Sequence, residues 1–213
     1  MSTNVQSLLG NSPSSDEVSI YLKSLSSLVD GSDAAVPEVK SYPDAVYFNY
    51  FAIGLSFLFS PQNGYKPAMN LRRDQIKDDS LVLDSIDVYN IPKLKPLAAN
   101  SGKSSRSAEL AFSTHPVSPI ILPLSISDGT SRPLTIEIMP DTTGQNFVAC
   151  LGEPERKGGG AGPSSGSIGI WCEWPKDGIM VEFGGDEAKG PQAWERGKDA
   201  VWKIITIFPP KAT

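Results

Sequence analysis

Glu173 and Glu182 are the residues of this 213-residue chain whose spacing comes nearest to catalytic machinery. Both fall on one face of an expected hairpin, and paired carboxylates of that kind serve glycoside hydrolysis. Charges alternating along a solvated strand face produce the same pattern without any chemistry. Asp84 and Asp87 fall on opposite faces of one expected strand and so do not act together. His115 is the sole histidine, in Ser113-Thr114-His115-Pro116. A Ser-His-Asp triad needs an acid to orient the imidazole on a rigid frame, and none is in sight, so His115 reads as an exposed loop residue. The run from Gly158 to Ser167 is rich in glycine, but a phosphate loop requires Gly-Lys-Ser/Thr opening a helix. Here Gly166-Ser167 opens a strand, and Ser165 stands where the last glycine of a dinucleotide pattern belongs. A flexible loop beside a hairpin fits better. Cys150 and Cys172 with one histidine give no zinc spacing and no disulfide framework. Cys172 reads as a small buried hydrophobe, and Asp186-Glu187 offers too few oxygens for a calcium loop. No cofactor and no metal is expected.

The elements that must position these residues begin with Gly166–Phe183. Ile170, Cys172 and Trp174 alternate with Trp171 and Glu173, then Ile179, Val181 and Phe183 with Met180 and Glu182. That is the period-two pattern of a hairpin, and Pro175-Lys176-Asp177-Gly178 supplies its turn. Val46–Phe59 repeats the scheme, Tyr50, Gly54, Leu55, Phe57 and Phe59 matching Trp174, Gly178, Ile179, Val181 and Phe183 at one constant spacing. Leu81–Tyr89 and Ala200–Phe208 follow as closing strands. A helix after Ser14, capped there with Glu17 three residues on, carries Val18, Tyr21, Leu22, Leu25 and Leu28 at helical spacing. A second, short helix holds Phe147, Val148 and Leu151. Val5–Leu9, Ile120–Ile126 and Pro133–Met139 read as strands, Asp33–Asp44 as a connector with two prolines, and Gly184–Asp199 as a loop. The fold class is α+β: two tandem strand-helix-hairpin-strand repeats, helices packed on antiparallel sheet. The first repeat spans 1–92, a Pro/Ser-rich linker 93–118 and the second repeat 119–213.

Alternation also defines what the hairpins present away from their helices. In the second half these residues are Trp171, Glu173, Met180, Glu182, Thr206 and Phe208; in the first, Tyr47, Asn49, Ser56, Leu58, Ser85, Asp87 and Tyr89. Large aromatics mixed with acids make a protein-binding face. Its competing explanation is burial under the linker or the other half. Trp194 and Trp202 read as anchors pinning the last loop onto the domain.

A helix ending in Leu151-Gly152-Glu153-Pro154, a strand Trp171–Trp174, a strand Gly178–Phe183 and a closing strand Ile204–Phe208 resemble the repeats of β-lactamase inhibitor protein and the related small outer-membrane assembly lipoproteins. In the first half Tyr50, Gly54–Phe59 and Ile86–Tyr89 fit, but the helix ends in Val29-Asp30-Gly31. Fewer than half of the residues are covered. The resemblance implies that fold and a binding style, a concave sheet face offered to another protein, but no target. Those relatives are exported, whereas this chain shows neither an export signal nor a lipid-bearing cysteine. The whole chain is also similar to intracellular proteins of mushroom-forming fungi, which supply a family without a function.

Composition narrows the classes. With 19 basic and 24 acidic residues the net charge is −5, against the clustered cations nucleic acid requires. The N-terminus lacks a signal-peptide pattern, and no apolar run is long enough to span a membrane. The expectation is a non-catalytic, cytoplasmic protein-binding module whose partner is a protein of unknown identity. The site residues are Tyr47, Leu58, Tyr89, Trp171, Glu173, Met180, Glu182 and Phe208. The alternatives are a small hydrolase using Glu173 and Glu182, or a carrier of an apolar small molecule between the repeats.

Overall fold

The computed structural model describes residues 4–31, 33–91, 111–125, 132–160 and 169–211. Most of the expected linker and of the Gly-rich loop lies outside them. The fold is mixed α and β, chiefly antiparallel sheet with few short helices. The chain divides into two compact units: Gly10–Pro116, and a unit combining the N-terminal residues up to Leu9 with Val117–Thr213. The N-terminal segment thus groups with the later unit rather than with the residues that directly follow it in sequence.

In Gly10–Pro116 helix α1 runs Asp16–Ser26 and buries Val18, Tyr21, Leu22 and Leu25, an i, i+3, i+4, i+7 stripe. Its cap is Ser15, one residue later than expected, whose hydroxyl accepts from Val18 N–H at 3.3 Å. Ser14 is engaged instead with the Ser12 hydroxyl at 3.3 Å. Leu28 lies past the helix end and is exposed. Four strands follow in the order β1 (Glu38–Tyr42), β2 (Ala45–Tyr50), β3 (Leu55–Pro61), β4 (Leu81–Tyr89), each antiparallel to the next. β1 occupies part of the expected proline connector. Pro37 stands just before the strand, where a missing N–H costs no ladder bond.

Cross-strand register fixes the faces. Leu55↔Val88, Phe57↔Ile86 and Phe59↔Leu83 share the buried face, joined by Val46, Phe48 and Tyr50 of β2. Phe48, Phe57 and Phe59 are fully buried, each stabilising by roughly 1.5–3 kcal/mol relative to exposure. The β4 strand contains a bulge, because Leu58 pairs with Ser85 but Phe59 with Leu83. One extra residue there, Asp84, reverses the alternation. Leu81 and Leu83 are therefore buried along with Ile86 and Val88, although strict alternation puts the two pairs on opposite faces.

In the other unit Val5–Leu8 forms a 3-10 turn, not a strand. Asn4 caps it by accepting from Gln6 N–H at 3.0 Å, and Val5 and Leu8, eclipsed at i, i+3, are both buried. The β5 (Ile120–Pro123) and β6 (Thr135–Ile138) strands pair with each other. Helix α2 (Gly144–Leu151) ends at Gly152 and sets Phe147 against Trp174 and Phe183. The strands β7 (Arg156–Gly158), β8 (Trp171–Trp174), β9 (Ile179–Phe183) and β10 (Trp202–Ile207) neighbour one another antiparallel in the order β10-β9-β8-β7. The expected loop before β10 contains one short helix, α3 (Ala193–Arg196), and a 3-10 turn. Trp202 is buried and donates its indole N–H to Met139 O at 2.7 Å, anchoring as expected. Trp194 is 43% exposed instead.

Candidate functional site

The outward face of β1–β4 is a groove of about 790 Å³. Register brings its residues together: Tyr47 pairs with Leu58 and Leu58 with Ser85, while Asn49 pairs with Ser56 and Ser56 with Asp87. The β1 strand adds Glu38 beside Asn49 and Lys40 beside Tyr47. Lining the groove are the aromatics Phe51, Tyr42, Tyr47, Tyr89 and Phe112, with Asp44 and Asp87 among the acids. Its floor is polar and satisfied, since Ser56 Oγ donates to Asn49 Oδ1 at 2.7 Å. Tyr42 meets Tyr47 edge to face, centroids 6.1 Å apart, a favoured aromatic geometry. Lys40 and Glu38 pair at 3.4 Å and offset each other's charge. Partial burial, then Asp87, then Tyr42 and Asp44, push the Tyr47 hydroxyl above the ordinary phenol range.

One end of the groove is closed by residues 111–116. Phe112 stacks on Tyr89 and meets Phe51 at 4.6 Å. Ser113 N–H donates to Phe51 O and His115 N–H to Tyr89 O, both at 2.8 Å, while Thr114 Oγ1 donates to Ile91 O at 2.6 Å. His115 is buried, not exposed as its loop setting implied. Its Nδ1 lies 3.0 Å from Ile53 O, and since a carbonyl only accepts, Nδ1 carries the proton. Burial outweighs that bond and lowers its pKa to about 4.

Of the expected first-half residues, Tyr47 is half-buried in the groove and Leu58 stands half-buried on the same face beside its lining. Tyr89 lines the groove from the expected face but is buried beneath Phe112, a residue of the expected linker, so at this position the competing explanation, cover by the linker, holds. Tyr42 lies on β1, where the two prolines predict a connector, and Phe112 falls in the expected linker. Alternation after Pro37, with Glu38, Lys40 and Tyr42 on one side, was the available signal for the first. Nothing local marked the second.

The other unit arranges its expected residues differently. Trp171, Met180 and Phe208 are half-buried. The Trp171 indole lies over Gly158, where any Cβ collides with it. Glu173 is 7% exposed, and Arg156 pairs with it at 3.1 Å. Glu182 pairs with Lys203 at 3.4 Å. In the ladder Glu173 lies opposite Met180 and Glu182 opposite Trp171, so the two acids are diagonal neighbours on one face, each with its own cation. Glu173 is thus not a solvated strand-face charge.

Among the described residues no group of three or more His, Cys, Asp or Glu is placed to hold a metal ion, and no helix is long and apolar enough to cross a membrane. The chain matches no protein-family model, no curated protein and no solved structure.

Proposed function

We propose that this is a non-catalytic binding protein whose groove on the unit Gly10–Pro116 takes an extended segment of a partner protein carrying basic and apolar side chains. The supporting observation is the aromatic, acid-bearing groove itself, with Tyr42 and Tyr47 half open and Asp44 and Asp87 beside them. Half-buried tyrosines give contact area at low entropic cost, and an acidic surround selects cationic side chains and speeds encounter. Volume alone suits a segment of several residues.

The same reading treats the two hairpin units as a tandem repeat of the β-lactamase inhibitor type. Gly54 and Gly178 support it. Both turn the hairpin at positive φ, +61° and +67°. Both also accept at their carbonyl from the closing strand's end, Tyr89 N–H at 3.0 Å and Phe208 N–H at 2.9 Å. A hydrolase is less well supported, because Glu173 and Glu182 are each committed to a cation.

The experiment is selection of a random peptide display library on the intact protein, followed by affinity measurement of the enriched peptides. Enrichment of Lys or Arg beside aromatic or aliphatic residues is expected, with affinity lost at least tenfold in Tyr47→Ala and severalfold in Asp87→Asn. Peptides that bind Tyr47→Ala as well as wild type sink the proposal, as does selection that enriches nothing.

A further inference from the structure

A second cavity, of about 530 Å³, opens within the unit that contains α2. It arises because α2 is only eight residues long and covers the inner sheet face incompletely. Phe147 and Leu151 seal one part of that face. Beside them Ile170, Cys172 and Phe183 form a floor, Val148, Ala149 and Pro154 a wall, and Trp194 the far side. The lining is mainly apolar, and the size is that of sites for small organic ligands.

Among the described residues its charged and amide-bearing lining is Gln145, Glu153, Lys157 and Lys198. Lys157 is fixed to this side by register, since it pairs with Cys172 across β7 and β8. Its ammonium sits 5.6 Å from the Trp194 ring centre. Neither lysine has an ion-pair partner among the described residues. Among the described residues, two lysines against one glutamate make the lining net positive on a chain whose net charge is −5. Trp194, 43% exposed, brings an aromatic ring to the lining, with the Lys157 ammonium over it.

We infer that this cavity binds a small amphipathic anion, with a flat apolar body against Ile170, Cys172 and Trp194 and an anionic group at Lys157 and Lys198. It is separate from the groove of the other unit and does not depend on the peptide-binding reading.

Two fluorescent naphthylamines distinguish the parts of this proposal: 8-anilinonaphthalene-1-sulfonate, and N-phenyl-1-naphthylamine, which lacks the sulfonate. Wild type should bind both saturably at one site, the sulfonate more tightly. Lys157→Gln with Lys198→Gln should weaken the sulfonate at least fivefold and leave the neutral probe unchanged. Ala149→Trp, at an exposed helix position on the cavity wall, should weaken both at least tenfold with unchanged circular dichroism. Tyr47→Ala should alter neither, which keeps this result apart from that for the groove. Absence of saturable one-site binding overturns the proposal, as does a lysine variant that weakens both probes equally or neither. Should Ala149→Trp not fold, the lysine variant alone decides.

Discussion

The Phe112 ring lies flat on the Tyr89 ring, centroids 3.8 Å apart and planes 2° apart. Residues 111–116 are held to the sheet by this stack and by backbone bonds to Phe51 and Tyr89. Phe112→Ala should therefore cost about 3 kcal/mol, combining lost burial with the lost ring pair. Phe112→Leu should cost less than half as much. Urea denaturation of the two variants checks the ratio, and equal losses would show that the ring stack contributes nothing.

His115 gives stability a pH dependence. Its folded pKa, about 4, is below the ordinary 6.5, so the unfolded chain binds the proton more readily. Stability from the neutral buried ring is complete above about pH 6.5 and falls as pH drops towards 4, by on the order of 3 kcal/mol in total. Denaturation of wild type and His115→Gln at pH 7.5 and 4.5 measures it. The variant should lose less than wild type over that interval, and identical losses would refute the assignment.

Glycine is required at Gly54 and Gly178 for two reasons. Each has positive φ, and a Cβ would strike the backbone oxygen of Ser113 or Phe208 respectively. Gly54→Ala and Gly178→Ala should each cost more than 3 kcal/mol. Gly10 and Gly64 also have positive φ, but nothing lies within 4 Å of a Cβ there, so alanine should cost about 1 kcal/mol from backbone strain alone. Thermal denaturation of the four variants separates the clash from the strain.

Arg156 protects Glu173 from being a buried, unpaired charge. Arg156→Ala should cost about 1–2 kcal/mol, since the guanidinium side is itself well exposed. Adding Glu173→Gln should restore part of the loss. A double variant as unstable as the sum of the singles would exclude the coupling.

Much of the sheet could be read from residue order. Apolar alternation placed β2, β3, β8 and β9, and the LVLDSIDVY run matched the bounds of β4. The bulge at Asp84 was not legible, because nothing in that run distinguishes strict alternation from a shift that follows from pairing with Leu58 and Phe59. His115 failed for a related reason. Its burial comes from contacts with Ile53 and Tyr89, distant in sequence, while its neighbours Ser, Thr and Pro carry only a loop signal. For the groove, Tyr47, Asn49, Ser56 and Asp87 could be assigned to one face beforehand; the aromatic lid supplied by Phe112 could not.

Gln6 donates to the backbone oxygen of Asp177, 171 residues further along. Synthesis from the N-terminus therefore releases residues 4–9 long before the turn they dock against exists. Gly10–Pro116 emerges as an uninterrupted stretch and has all of its own strands available early. Residues 4–9 are thus made before Gly10–Pro116 yet settle after it, and a nascent chain halted after Pro116 should carry one folded unit preceded by an undocked segment.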